Sequence, residues 1–305
     1  MSAGAAVDIS PARAWILAAR PATLPAAAVP VIVGAAAAVS DGAQFKPMIF
    51  AVTLACALLI QIGTNFANDY SDFHRGADHE GRLGPTRVTQ SGLITQAGVR
   101  RGIIVAFGLA VILGAVLIGY GGVPILIIGV ASVLSGLAYT GGPFPLGYHG
   151  LGDVFVFVFF GLIAVTGTAY LQTGEWNRFA LLLSIPIGLI VTNILVVNNL
   201  RDLPTDVAAG KRTLATRIGD RATRFQYVAS MVVAYAIPVA IALTDSHRHA
   251  LLLTLISLPL ALLLMRIVSR GTSGRALNPV LKKTGQLLLM FGVLLALGAL
   301  LGRAA

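Results

Sequence analysis

Charge is the scarcest thing in this sequence. Only 11% of its 305 residues are Asp, Glu, Lys or Arg, against about 25% in an ordinary soluble domain. The apolar fraction is 56% and the mean hydropathy is +0.85. A water-soluble globular domain is excluded, and an integral membrane protein is expected. Cysteine is nearly absent. The single Cys56 rules out an internal disulfide and a cysteine-based metal site, and reads as a small buried apolar residue. A cleaved signal peptide is not expected either, because Met1 to Arg20 is not a basic region followed by a short apolar core and a cleavage site. Nucleic-acid binding is not expected. The net charge is +10, but no basic face interleaved with aromatics accompanies it.

Among the charged residues the acidic ones are the fewer, 12 against 22 basic. Six of them (Asp69, Asp72, Asp78, Glu80, Asp202 and Asp206) fall in two places. The first is Asn65-Phe-Ala-Asn-Asp69-Tyr-Ser-Asp72, continuing to Asp78 and Glu80. The second is Asn198-Asn-Leu-Arg-Asp202-Leu-Pro-Thr-Asp206. Each lies where a long apolar run gives way to polar sequence, and both contain Asn-x-x-x-Asp. On a helix that spacing puts amide and carboxylate on one face, a turn apart. Pro204 is expected to end the second helix, which would leave Asp206 in a loop or a new turn.

Nine apolar segments are long enough to cross a bilayer as helices, at about 22–40, 47–69, 99–120, 122–140, 153–172, 179–200, 224–244, 249–268 and 284–302. They are continuously apolar rather than alternating, which excludes a closed barrel. The expected fold is therefore all-α, a polytopic bundle of nine transmembrane helices in a lipid bilayer. With the N-terminus in the cytoplasm, 18 Lys and Arg lie on the cytoplasmic side and 4 on the other, a strong positive-inside asymmetry. Both acidic stretches then face the cytoplasm. The repeated Asn-x-x-x-Asp unit suggests one domain over 1–305 with two related halves, about 1–140 and 141–305.

Clustered carboxylates at a membrane boundary repel and are costly to desolvate. A divalent cation would neutralise them, and oxygen donors suit Mg²⁺ rather than zinc. Two such ions could clamp a diphosphate between the stretches, with Arg75, Arg82, Arg87, Arg201 and Lys211 supplying further positive charge. Asn65 and Asn198, on the same faces as the aspartates, could serve the diphosphate as well. A lipid diphosphate would lie with its head at the cytoplasmic boundary and its tail between helices, in a central cavity open to that face. Asp153 reads as a helix N-cap or as a contact to an acceptor hydroxyl; Tyr139 and Tyr148 read as interfacial aromatics or as acceptor contacts.

These two stretches resemble the paired aspartate motifs of the UbiA superfamily of intramembrane prenyltransferases. Further stretches resemble its 1,4-dihydroxy-2-naphthoate polyprenyltransferase branch, which serves menaquinone biosynthesis. They are Arg20-Pro-Ala-Thr-Leu-Pro25, Gly84-Pro-Thr-Arg-Val-Thr-Gln-Ser-Gly92, Tyr139 through Asp153, and Gly210-Lys-Arg-Thr-Leu-Ala215. Asp153 stands where many relatives are expected to carry glutamate. The resemblance implies a magnesium-dependent transfer of a polyprenyl group from polyprenyl diphosphate to 1,4-dihydroxy-2-naphthoate, with loss of CO₂ and diphosphate. It implies Asp69, Asp72, Asp78, Asp202 and Asp206 as metal ligands, Lys211 with Asp69, Asp72, Asp202 and Asp206 in catalysis, and Tyr139, Tyr148 and Asp153 on the acceptor side. It implies a multi-pass protein of the cytoplasmic (inner) membrane. Other acceptors of the same superfamily, such as 4-hydroxybenzoate, and an ion-coupled transporter are the competing readings.

Overall fold

A computed structural model describes residues 9–75, 83–84 and 87–302. Among these every regular element is helical. A short helix α1 (Pro11–Ala19) lies ahead of α2 (Pro25–Ser40), and the two meet at a bend of 52°. Then come α3 (Pro47–His74), α4 (Gln96–Ala138), α5 (Gly152–Thr173), α6 (Arg178–Ala208), α7 (Leu214–Thr244), α8 (Ser246–Ser269) and α9 (Gly274–Leu301). Seven of these, α3 to α9, are long and apolar enough to cross a membrane, and the bent α1–α2 pair raises the number to eight.

The 43 residues of α4 would make a straight rod of about 65 Å, more than twice the bilayer core. The chain avoids this at Gly122, whose φ of 64° lies in the left-handed region that glycine enters without penalty. Phe107 and Gly136 flank this break, and a Cβ on Gly136 would lie only 3.4 Å from the Phe107 ring. A straight helix would hold them more than about 40 Å apart. The two halves of α4 therefore fold back on each other beside α3.

In lipid there is no hydrophobic force to press helices together, so close contact depends on small residues and on polar pairs. The most enclosed helices show this. α2 is built from Ala, Val and Gly and buries most of its length against α5, α6 and α9. α4 instead presents Ile104, Val105, Leu109 and Ile112 outward, as a lipid-facing helix should. α5 crosses α6 where Gly161 meets Gly188; a Cβ at Gly161 would fall 2.5 Å from the Gly188 Cα. Here α5 has a π-helical stretch, Phe157–Ile163. Phe155 and Phe159 stack their rings, with centroids 5.8 Å apart.

One sequence expectation is corrected. Pro204 does not end its helix, for α6 runs on to Ala208 with Pro204 inside it. Proline removes a single donor near the end of a helix. The last turn is supported by the Thr205 hydroxyl donating to the Asp202 carbonyl (2.8 Å) and by the Ala209 N–H donating to the Thr205 carbonyl (2.9 Å). Asp206 is therefore helical and continues the stripe of Asn198 and Asp202.

The Gly161–Gly188 crossing has backbone on both sides and no flexible side chain to yield. Gly161→Ala should destabilise the protein by about 1–3 kcal/mol, seen as a lowered Tm of purified protein in detergent. An unchanged Tm would show that the crossing tolerates separation.

Candidate functional site

The C-terminal third of α3 carries Asn65, Asn68, Asp69 and Asp72, with Arg75 at its C-cap, and two loops fold over it. Asp69, 2% exposed, accepts the backbone N–H groups of Val88 (3.2 Å) and Thr89 (3.0 Å) and the Thr89 hydroxyl. Asp72 accepts from the Arg87 guanidinium at 2.6 Å on one oxygen and from the Tyr148 hydroxyl at 2.9 Å on the other. Thr140 donates to the Asn68 side-chain oxygen (2.8 Å), while Arg75 donates to the Thr140 (3.1 Å) and Gly142 carbonyls. Asn65 turns toward the segment between α1 and α2, its amide donating to the Ala19 carbonyl and to the Thr23 hydroxyl, both at 3.0 Å.

The second stretch is built around an arginine. Arg201 is 1% exposed and uses its guanidinium inside the protein. It donates to both oxygens of Asp202 (2.8 and 2.5 Å), to the Asn198 side-chain oxygen (2.9 Å) and to the Asn278 side-chain oxygen on α9 (3.0 Å). Asn278 in turn donates to the Leu83 carbonyl at 3.0 Å. The second acidic helix is thus tied to α9 and, through it, to the loop that caps α3. One turn beyond Asp202, Asp206 faces the Lys211 ammonium at 3.8 Å.

Tyr148 joins the two ends. Its hydroxyl holds Asp72. The Lys211 ammonium sits 4.6 Å from its ring centroid, a cation–π contact. Its carbonyl accepts the Arg212 N–H at 3.1 Å. Asp72, Tyr148, Lys211 and Asp206 form a continuous chain from one acidic helix end to the other, and Asp206 is within electrostatic reach of both Asp72 and Asp202. Arg75 also lies over the Tyr148 ring, at 5.6 Å. In the loop after α4, the Tyr139 hydroxyl stands 3.0 Å from where a Cβ on Gly152 would lie. Asp153 is not the N-cap, a position held by Leu151; its carboxylate instead accepts from the Gln226 side chain of α7 at 3.0 Å.

The structure thus gathers Asp69, Asp72, Asp206, Arg75, Arg87, Tyr148 and Lys211 around one place. Asn198, Arg201 and Asp202 close on one another beside it, and Asn65 faces the N-terminal segment. Asp78 and Arg82 lie outside the described residues. Gln226 and Asn278, which these contacts make prominent, were not singled out by motif, and Thr89 lay in the quoted stretch 84–92 with no role of its own assigned. Gln226 and Asn278 carried a signal, since each is an uncharged polar residue at the edge of an apolar run.

Among the described residues no three His, Cys, Asp or Glu side chains form a metal-binding group. Magnesium does not need one. It is usually held by one or two carboxylates, with water and substrate phosphate completing the shell. The donors here are carboxylate and amide oxygens on two facing helix ends, and that chemistry fits magnesium. An open groove lies elsewhere, between Asp41–Lys46 and Gln172–Asn177.

The model of the UbiA prenyltransferase family matches residues 27–279. The chain is 39% identical over 287 residues to a 1,4-dihydroxy-2-naphthoate octaprenyltransferase of Mycobacterium tuberculosis, covering 94% of this chain and 96% of that one. It is 36% identical over 305 residues to the Escherichia coli protein of the same name, covering 98% of each. Its fold is similar to that of a UbiA homolog from Archaeoglobus fulgidus bound to DMAPP and Mg²⁺, with a TM-score of 0.64 at 13% identity, covering 94% of this chain and 97% of that one.

Removing one partner of a buried ion pair strands the other charge, at a cost of about 3–5 kcal/mol. Arg201→Ala should therefore lower the Tm of the purified, substrate-free protein sharply. A residue that served only to bind diphosphate would leave the substrate-free Tm unchanged.

Proposed function

Because this chain belongs to the UbiA prenyltransferase family, we propose that it transfers a polyprenyl group from polyprenyl diphosphate to 1,4-dihydroxy-2-naphthoate, releasing CO₂ and diphosphate. The observation that carries this reading is the meeting of the two aspartate-bearing helix ends through Tyr148 and Lys211, in a chain so similar over its length to naphthoate octaprenyltransferases. We read the chain as one domain of two related halves. Dividing α4 at Gly122 adds a ninth span to the eight. The N-terminus and the acidic ends are assigned to the cytoplasmic side, where the basic residues concentrate, with a central cavity opening there. We read the chain as a protein of the cytoplasmic membrane.

In this reading Asp69, Asp72, Asp202 and Asp206, with Asp78, would hold magnesium. Bound there, the metal would supply positive charge to the departing diphosphate. Lys211, Arg75 and Arg87, with Arg82, bind and orient the diphosphate. Arg87 and Lys211 are already at the acidic ends, paired to Asp72 and Asp206, and a phosphate oxygen would take over part of those contacts. Arg201 and Asn198 act by fixing the Asp202 carboxylate, and Asn65 by fixing the segment around Thr23. The apolar helices keep water from the allylic carbon once its bond to diphosphate weakens. Tyr139, Tyr148 and Asp153 line the acceptor side.

The reading is tested with purified protein, Mg²⁺, a prenyl diphosphate and either 1,4-dihydroxy-2-naphthoate or 4-hydroxybenzoate, with products identified by mass. Prenylated naphthoquinol should form with the first acceptor only; turnover of 4-hydroxybenzoate alone would move the protein to another branch. Asp69→Ala, Asp72→Ala, Asp202→Ala and Asp206→Ala should each lower kcat/KM at least ~10²-fold, about 2.7 kcal/mol of transition-state stabilisation. Chelation of Mg²⁺ should abolish turnover and its re-addition restore it. Reporter fusions after Gly92 and after Arg303 should report opposite sides of the membrane, and the same side for both would overturn the nine-span topology.

A further inference from the structure

Asp153 is 6% exposed, and only one of its oxygens is engaged. Oδ1 accepts from the Gln226 amide at 3.0 Å. Oδ2 is buried and has no hydrogen-bond partner among the described residues. A buried carboxylate oxygen without a donor costs more than the roughly 1–3 kcal/mol of a neutral orphan, and such groups in natural proteins call for an explanation. Among the described residues no ion pair is formed with Asp153. The loop from Tyr139 to Asp153 contains no Lys or Arg. The basic side chains that reach this loop go elsewhere: Arg75 to the Thr140 and Gly142 carbonyls, Arg217 to the His149 carbonyl, and Lys211 to the Tyr148 ring.

The surroundings of Asp153 suit a flat phenolic ring rather than a phosphate. Gly152, lacking a side chain, lets an aromatic hydroxyl (Tyr139) and an apolar side chain (Leu195 of α6) come close beside Asp153; a Cβ at 152 would lie 3.0 and 3.3 Å from them. Tyr139 is within electrostatic reach of both Asp153 and Asp72. Tyr139 thus stands between Asp153 and the acidic end of α3.

We propose that Asp153 Oδ2 accepts the proton of a ring hydroxyl of the bound naphthoate as the ring attacks the prenyl carbon, and that Gln226 is the positioning residue that turns Oδ2 toward it. The inference rests on the function proposed above. As the hydroxyl proton passes to Asp153, its electron pair becomes a ring carbonyl, and the ring carbon forms the new C–C bond. The bond from prenyl carbon to diphosphate oxygen breaks with its electrons on oxygen. The carboxylate then leaves as CO₂, its bonding pair restores the aromatic ring, and the carbonyl oxygen recovers the proton from Asp153. The product is the quinol, so no oxidant is consumed.

The test uses the full-length protein in nanodiscs with Mg²⁺, a short-chain prenyl diphosphate, and either 1,4-dihydroxy-2-naphthoate or its two monomethyl ethers. Asp153→Asn keeps shape and a pairing with Gln226. It should lower kcat on the diol at least about 10²-fold, the lower range for a general base, with the Kd for prenyl diphosphate unchanged. Asp153→Glu should recover much of the loss. On the ether that lacks the transferred proton, the wild type should be slow and Asp153→Asn no slower. Gln226→Leu should raise KM for the naphthoate and lower kcat while leaving diphosphate binding intact. Equal losses on diol and ethers, a retained kcat, or weakened diphosphate binding alone in Asp153→Asn would overturn the proposal. Should Asp153→Asn fail to fold, Gln226→Leu decides: a lowered Tm with kcat and KM unchanged overturns it. A wild type that forms no prenylated naphthoquinol would instead overturn the function on which the inference rests.

Discussion

Like charges brought together at the mouth of an apolar bundle must be compensated, and much of this molecule answers that requirement. Asp69 is met by two backbone N–H groups and a hydroxyl, Asp72 by a guanidinium and a phenol, Asp202 by a fully buried arginine, and Asp206 by a lysine. The compensating groups come from the loop at 87–89, from Tyr148, from Arg201 on α6 and from Lys211 just beyond it. The demand for compensation therefore determines where the loops after α3, α4 and α6 lie. Tyr148 carries the most of this load, because it serves one acid through its hydroxyl and the other through the cation on its ring.

This arrangement needs rigid supports. The helices that carry the acids are held by contacts of low tolerance: α6 crosses α5 glycine to glycine, and α4 doubles back at one left-handed glycine. Polar pairs deep in the bundle do the rest, as where Asn193 donates to the Tyr227 carbonyl at 3.0 Å and the Tyr227 and Thr284 hydroxyls meet at 3.0 Å. In a bilayer such pairs specify which helix neighbours which, since apolar faces alone do not discriminate between a helix and lipid.

The helical class, the spacing of Asn and Asp on one face, and the break between the apolar segments 99–120 and 122–140 were all legible in the sequence, because each is encoded within one or two turns. The end of α6 was misjudged for the same reason. Pro204 is a local signal, and the helix continues because later contacts support it. Arg201 was counted with the loop cations, although nothing in its neighbourhood distinguishes a solvated arginine from one buried against Asn278, 77 positions away. Gln226 and Thr89 became visible only when the fold brought them to Asp153 and Asp69. Local periodicity reports which face a residue shares; it is silent on who stands across from that face.

The π-helical stretch Phe157–Ile163 lies between Asp153 and the membrane-buried remainder of α5. A π turn holds one residue more than an α turn, so it acts as an angular spacer. It sets the azimuth of everything before it against everything after. Loss of one residue there would let the turn close as a regular α-helix with Asp153 and Gly161 at nearly their present azimuths, whereas winding the same residues as α would swing Asp153 by about 100° around the helix axis. A one-residue deletion and a change that favours α winding at constant length are therefore different kinds of change, the first keeping the direction of a functional group and the second turning it. In the divergence of such chains, length and winding at this position are expected to change together.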